Sequence, residues 1–222
     1  MPTDAENQAI RELYSTRVRE RGAVPAALGW NKPKHRLRYA ILAGHWELAG
    51  RHRPARLLDF GCGFGDLYGW LRAQDLEVAY TGLDINRDLV DIARGRYPDA
   101  RFVCTDCPGE LLESGAFDLV MSSGVHNHRL ADNAGFIRET FALFDRVAVE
   151  GFSLNFLSNR VNFERPENYY ADPAGVLGIG LGYTRRVVLR HDYMPFEFTV
   201  HVDKRVAADT DLNVFEPYVA EC

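Results

Sequence analysis

Apolar positions near the start of the chain recur at intervals of three and four. Ile10, Leu13, Tyr14 and Val18 share one side of a helix over 5–20, with Asp4 as its expected N-cap. After a loop containing glycine and proline, the spacing returns in Leu37, Ile41, Leu42 and Trp46, closing with Leu48 or Ala49. From residue 55 the texture changes to short apolar runs separated by helical segments. The runs 55–60, 78–85, 100–106, 117–123 and 151–157 read as strands, and 65–73, 87–96 and 133–149 as helices. The last helix carries Phe136, Ile137, Thr140, Phe141 and Phe144 on one face. A short helix is expected near 173–181. Two final β-like runs, 185–193 and 197–204, are separated only by Met194, Pro195 and Phe196, which forces an antiparallel hairpin because a parallel return needs a dozen residues or more.

The fold class is therefore α/β: a doubly wound, mostly parallel seven-stranded sheet with an antiparallel C-terminal hairpin and an N-terminal helical cap. One domain is expected over 1–222, with the cap at 1–50, the core at 55–205 and a tail at 206–222. With 46% hydrophobic and 26% charged residues, the composition is that of a folded globular protein. A net charge of −5 disfavours nucleic acid as a partner. No run spans a bilayer and no secretion signal leads the chain, so a cytoplasmic location without membrane contact is expected; a homodimer is admitted. Cys62, Cys104, Cys107 and Cys222 are too few for a disulfide framework, and the Cys104/Cys107 pair lacks a second pair for zinc.

The candidate chemistry sits where the first strand ends. In LLDFGCGFGDL, Gly61, Gly63 and Gly65 give a tight turn from strand into helix that admits close ligand approach. Asp59, two residues before the first glycine, would repel a pyrophosphate but attract the cationic amino group of a methionine moiety. Asp84, at the end of the second strand, can accept from both hydroxyls of a ribose. Asp106, at the end of the third, can accept from an adenine amino group.

Taken in order, LLDFGCGFGD, TGLDIN, FVCTDC and FDLVMSSGV resemble the class I, Rossmann-like S-adenosylmethionine (SAM)-dependent methyltransferases over roughly residues 30–205. The resemblance implies SAM as cofactor and S-adenosylhomocysteine (SAH) as product. It places Asp59, Gly61, Cys62, Gly63 and Gly65 around the methionine part, Asp84 on the ribose and Asp106 on the adenine. Ile85 and Cys107 would line the adenine, Ser122 would border the site, and Arg38 would pair with the methionine carboxylate.

In open α/β sheets ligands bind beyond the carboxyl ends of the strands, so the acceptor should meet 122–129 and 155–170. His126 and His191 are the first candidates for a base, with His128 behind them. Asn127, Asn155, Asn159, Tyr169 and Tyr170 are candidates to hold the acceptor. No carboxylate arrangement points to a catalytic metal. The amino-methyltransferases of DNA resemble one another in an Asn/Asp-Pro-Pro-aromatic motif after the fourth strand, where this chain has Ser122, Ser123, Gly124 and Val125. The expected reaction is methyl transfer to a hydroxyl oxygen or amine nitrogen of a small molecule, such as a natural-product or glycan biosynthetic intermediate. The alternatives are an RNA or protein methyltransferase, with Arg51, His52, Arg53 and Arg56 as the RNA contact, a non-catalytic SAM-binding subunit, or an NAD enzyme.

Overall fold

The computed structural model describes residues 1–29 and 35–205. The expected tail at 206–222, with Cys222, and the loop residues 30–34 lie outside the described residues. A seven-stranded sheet runs in the order β3-β2-β1-β4-β5-β7-β6. Its strands are β1 (Ala55–Phe60), β2 (Val78–Asp84), β3 (Arg101–Cys104), β4 (Phe117–Ser122), β5 (Ala148–Leu157), β6 (Val187–Met194) and β7 (Glu197–Asp203). Strands β1 to β5 are parallel, and β7 is antiparallel to both β5 and β6. The hairpin expected from its short link is thus present, joined through Pro195 and Phe196.

Helices α2 (His35–Gly44), α3 (Asp66–Ala73) and α4 (Arg87–Arg96) pack on one side of the sheet. On the other lie α6 (Asn133–Val147) and α7 (Pro173–Leu181). Alternation along the strands feeds both layers: Leu57 belongs to the α2–α4 side and its neighbour Leu58 to the α6 side. Strand β4 is buried at every position, as a central parallel strand covered on both faces must be. Helix α6 stops at Val147, and β5 begins at Ala148 with no loop between, so the strand starts three residues before the apolar run that announced it. A four-residue α5 (Pro108–Leu111) follows β3, with Pro108 in its first turn.

Helix α1 (Asp4–Arg21) is capped by Thr3 and not by Asp4. The Thr3 hydroxyl accepts from Glu6 N, and Glu6 Oε2 accepts from Thr3 N, a reciprocal capping box. Glu6 has a second use: its Oε1 accepts from Ala131 N at 2.7 Å, fixing the start of α1 to the segment before α6. Tyr14 and Val18 pack on a small cluster of Ala27, Phe64 and Leu89. The apolar stripe of α1 therefore rests across the carboxyl ends of the parallel strands.

Candidate functional site

The strand order reverses between β1 and β4, and the loops on either side of that point open a crevice. A cavity of about 1220 Å³, its mouth included, fills this crevice. Asp59, Gly61, Cys62, Gly63, Asp84, Ile85 and Asp106 all line it. The glycine loop is held by backbone: Gly61 N and Cys62 N both donate to the carbonyl of Leu83, at 2.7 and 2.9 Å. Gly61 has φ +79°, and a Cβ there would stand 2.1 Å from Val125 Cγ2, so only glycine lets the loops after β1 and β4 meet.

Asp84 uses both oxygens. Oδ2 accepts from Gly63 N and Oδ1 from Asn86 N, each at 2.9 Å, and a carboxylate oxygen that lines the cavity can accept more than one bond. Asp59 is almost wholly buried, with Oδ2 accepting from the Tyr80 hydroxyl at 2.5 Å. Burial raises its pKa to about 7 even though the Tyr80 bond pulls the other way. A carboxylate held at the edge of ionisation, bordering a cavity, suits a cationic ligand group. Asp106 is more exposed and pairs with Arg11 of α1 at 3.0 Å.

Four of the expected cofactor residues do not line the cavity. Arg38 is buried in a bidentate ion pair with Glu197 of β7, which commits it to the core and removes it as the expected partner of a methionine carboxylate. Gly65 serves as the N-cap of α3, where a Cβ would press on Phe102 and Tyr97. Cys107 turns to solvent, and its neighbour Pro108 takes the place on the cavity wall. Ser122 is buried at the end of β4, with Ser123 lining the cavity instead.

The expected acceptor half fares differently. The His126 ring lies between Phe136 and Phe156, with centroids 4.7 and 5.1 Å away, and Nε2 meets Thr140 Oγ1 at 3.2 Å. Burial lowers its pKa to about 3, and it does not reach the cavity, so it cannot serve there as a base. His191 sits on the edge strand β6 beside Phe198, with β7 and β5 between it and β4. Asn155 is buried with Oδ1 accepting from Gly124 N at 2.7 Å, and Asn127 accepts from Tyr169 N through its backbone carbonyl. Tyr170 accepts from Arg165 N, and Asn159 is exposed. Asn127, Asn155, Asn159, Tyr169 and Tyr170 therefore buttress the loops rather than line the cavity.

Helix α1 and the residues just before it contribute a wall that no local sequence signal announces. Met1, Pro2, Asn7, Ile10 and Tyr14 roof the cavity. The Tyr14 hydroxyl and His128 Nε2 are hydrogen-bonded at 2.8 Å, with their rings 5.5 Å apart and nearly perpendicular. His128, the third-ranked histidine, is thus the one in the cavity. Asn133 Nδ2 donates to the His128 carbonyl at 2.7 Å and Asn133 Oδ1 accepts from Leu130 N, which fixes the segment. Burial pushes the Tyr14 phenol up to about 12, while burial and then the Arg17 guanidinium lower the His128 pKa, so both groups are held uncharged. Asn86 completes the seat of α1: its Nδ2 donates to Arg11 O and to Ser15 Oγ while its Oδ1 caps α4.

The basic cluster before β1 lies at the opposite end of the strands and is consumed by ion pairs. Arg51 holds Glu150, and Arg53 with Arg56 grips the buried Asp118, lowering that carboxyl well below its ordinary range. No helix among the described residues is long and apolar enough to cross a membrane.

A family model described as a methyltransferase domain matches residues 57–146. The chain is 31% identical over 161 residues to "Putative methyltransferase Rv1506c" of Mycobacterium tuberculosis, spanning 68% of this chain and 94% of that protein. A TehB-like SAM-dependent methyltransferase from Corynebacterium glutamicum shares the fold with a TM-score of 0.58 at 20% identity, covering 89% of this chain and 100% of that one. The geranyl diphosphate C-methyltransferase of Streptomyces coelicolor, solved with Mg2+, geranyl diphosphate and SAH, gives 0.57 at 11% identity over 77% of this chain and 80% of its own.

Proposed function

The chain belongs to the class I SAM-dependent methyltransferases, and on that premise we propose that it methylates a hydroxyl or amine of a small molecule enclosed beneath α1. SAM supplies an electrophilic methyl on a sulfonium. Asp59 with Gly61, Cys62 and Gly63 is assigned to the methionine part, Asp84 to the ribose hydroxyls, and Asp106 with Ile85 and Pro108 to the adenine. The residues fit that ligand: Asp84 keeps acceptor capacity on both oxygens, and Asp59 borders the cavity as a carboxylate that an ammonium would ionise.

The observation that carries the small-molecule reading is the roof. Met1, Pro2, Asn7, Ile10 and Tyr14 cover part of the cavity, which Leu130 and Phe136 also line. That cover leaves a folded macromolecule less room than a small molecule to present a group while α1 is seated. The basic cluster proposed for RNA is bound to Asp118 and Glu150 at the far end of the sheet, which removes its main support.

Tyr14 and His128 are assigned as the proton acceptors. An acceptor hydroxyl would donate to the Tyr14 oxygen, and its proton would pass to Tyr14 while the tyrosine proton moves to His128 Nε2, leaving the acceptor oxygen free to take the methyl that SAM would supply; the imidazolium formed would carry the positive charge brought in by SAM. Holding the donor and acceptor in line supplies the rest. The test is incubation of the enzyme with methyl-tritiated SAM and an extract of its source organism, followed by ultrafiltration. Label in the small-molecule filtrate is expected, and label confined to retained RNA or protein would overturn the reading.

A further inference from the structure

Helix α1 brings to the cavity one polar side chain that the assigned reaction does not use. Asn7 is the one buried residue of that helix, 8% exposed, and it lines the cavity together with Ile10 and Tyr14. The other buried asparagines commit their amides to the fold: Asn86 to Arg11, Ser15 and Leu89, Asn133 to His128 and Leu130, and Asn155 to Gly124. The Asn7 amide makes no hydrogen bond with another described residue. Asparagine is also a weak helix former, so neither the helix nor its packing accounts for an amide at this place. Asn7 and Tyr14 stand seven residues apart on one helix, which sets them two turns apart on the same face, about 10 Å along its axis. Ile10 lies between them, and Leu130 and Phe136 add to the apolar lining. The acceptor half is thus an apolar wall with a hydrogen-bonding group at each end.

We propose that Asn7 is a specificity-determining residue: the methyl acceptor carries, besides the group methylated at Tyr14, a second uncharged oxygen group, a hydroxyl or a carbonyl, at the far end of an apolar body. An amide offers both a donor and an acceptor without charge, so it pairs with either group. Water can serve the amide while the cavity is open. An acceptor that fills the cavity displaces that water, and one without a polar group at this end leaves the amide unpaired at the cost of a lost hydrogen bond. The apolar body between gains from burial against Ile10, Leu130 and Phe136. Selection is made at Asn7 and proton transfer at Tyr14, two turns away.

This proposal rests on the reading of the cavity as a methyl-transfer site, and the test separates the two. The probes are 2-naphthol and 2,6-dihydroxynaphthalene, which share one apolar body and differ in the hydroxyl at its far end, titrated into the SAH-loaded enzyme by calorimetry. The second hydroxyl is expected to tighten binding about ten-fold in the parent, which is about 1.4 kcal/mol. In Asn7→Leu the gain should shrink to about two-fold, the statistical advantage of two equivalent ends. Leucine replaces the amide by an apolar group of similar size, so the urea midpoint of the variant is expected at or above that of the parent. Asn7→Ala repeats the comparison with a smaller side chain. A ten-fold gain retained in either variant, no gain in the parent, or no binding of either probe would overturn the proposal, and so would a urea midpoint of Asn7→Leu well below the parent's, which would assign the amide to the fold. Failure of SAH itself to bind would instead sink the underlying reading.

Discussion

The half of the cavity built by the loops after β1, β2 and β3 differs from the half built by α1 and the loop after β4 in how its parts are joined. In the first, each acid stands at the end of its own strand, and the loop bonds are short-range or between adjacent strands, as from Gly63 N to Asp84. In the second, the decisive contact joins Tyr14 to His128 across 114 residues. The donor half is thus a property of the sheet, present whenever the sheet folds. The acceptor half exists only when α1 is seated, through Glu6 on Ala131 N, Asn86 on Arg11 O and Arg11 on Asp106. Donor binding and acceptor chemistry should therefore be separable by mutation.

Tyr14→Phe gives the sharpest separation. It removes the hydroxyl proposed to take the acceptor's proton while leaving the ring on its apolar seat. The turnover number is expected to fall by about 100-fold or more, the range for loss of general-base assistance, with the dissociation constant for SAM unchanged. A parallel loss of SAM affinity, measured by calorimetry, would show that the two halves are one unit. Asp84→Asn makes the converse cut. The amide can satisfy only one of the two backbone N–H groups and cannot accept from both ribose hydroxyls. A weakening of SAM binding by about 30-fold is expected, about 2 kcal/mol for charged hydrogen bonds. Unaltered affinity would remove Asp84 from the ribose site.

The same division decided what could be read in the sequence. Strand, loop and helix are local, so the acids at 59, 84 and 106 and the glycines between them announce themselves by spacing. The hairpin was legible because its link is too short for anything else. Arg38 misled because its partner, Glu197, stands 159 residues away, and nothing local distinguishes a core arginine from a ligand-binding one. His126 lies within a short 3-10 turn opened by Gly124 at φ +80° and His128 caps its end, and an irregular turn has no period from which to tell which ring points into the cavity. Of the helical stripe Ile10, Leu13, Tyr14 and Val18, Leu13 is exposed, Tyr14 and Val18 pack on the cluster beneath, and Ile10 and Tyr14 also line the site.

Asp59 offers a pH test of the donor half. Its carboxyl keeps its proton up to about pH 7 in the free protein, so its attraction for the ammonium of SAM is present above that pH and lost below it. Affinity is expected to be about ten-fold weaker at pH 6 than at its plateau, and Asp59→Asn should flatten that dependence at the weaker level. Stability of the free protein should move oppositely. A folded pKa raised above the unfolded value contributes stability fully below about pH 4, lost as the pH climbs to about 7. Urea midpoints across that range should show the slope in the native chain and a reduced slope in the variant, whereas a slope unchanged by the substitution would assign it to other groups.

His126→Phe is expected to do least, and that makes it the cleanest check on which histidine belongs to the acceptor half. The ring is already packed between Phe136 and Phe156, and Nδ1 is buried with no hydrogen-bond partner. The Thr140 hydroxyl donates to the Phe136 carbonyl at 2.8 Å and keeps that bond without the imidazole. Replacing a buried, half-satisfied polar ring by an apolar one of similar shape removes a desolvation cost, so stability should stay within about 1 kcal/mol of the parent or rise. Turnover and the pH profile should be unchanged. A fall in turnover with SAM affinity intact would return His126 to the reaction and show that the loop after β4 turns its ring into the cavity when an acceptor binds.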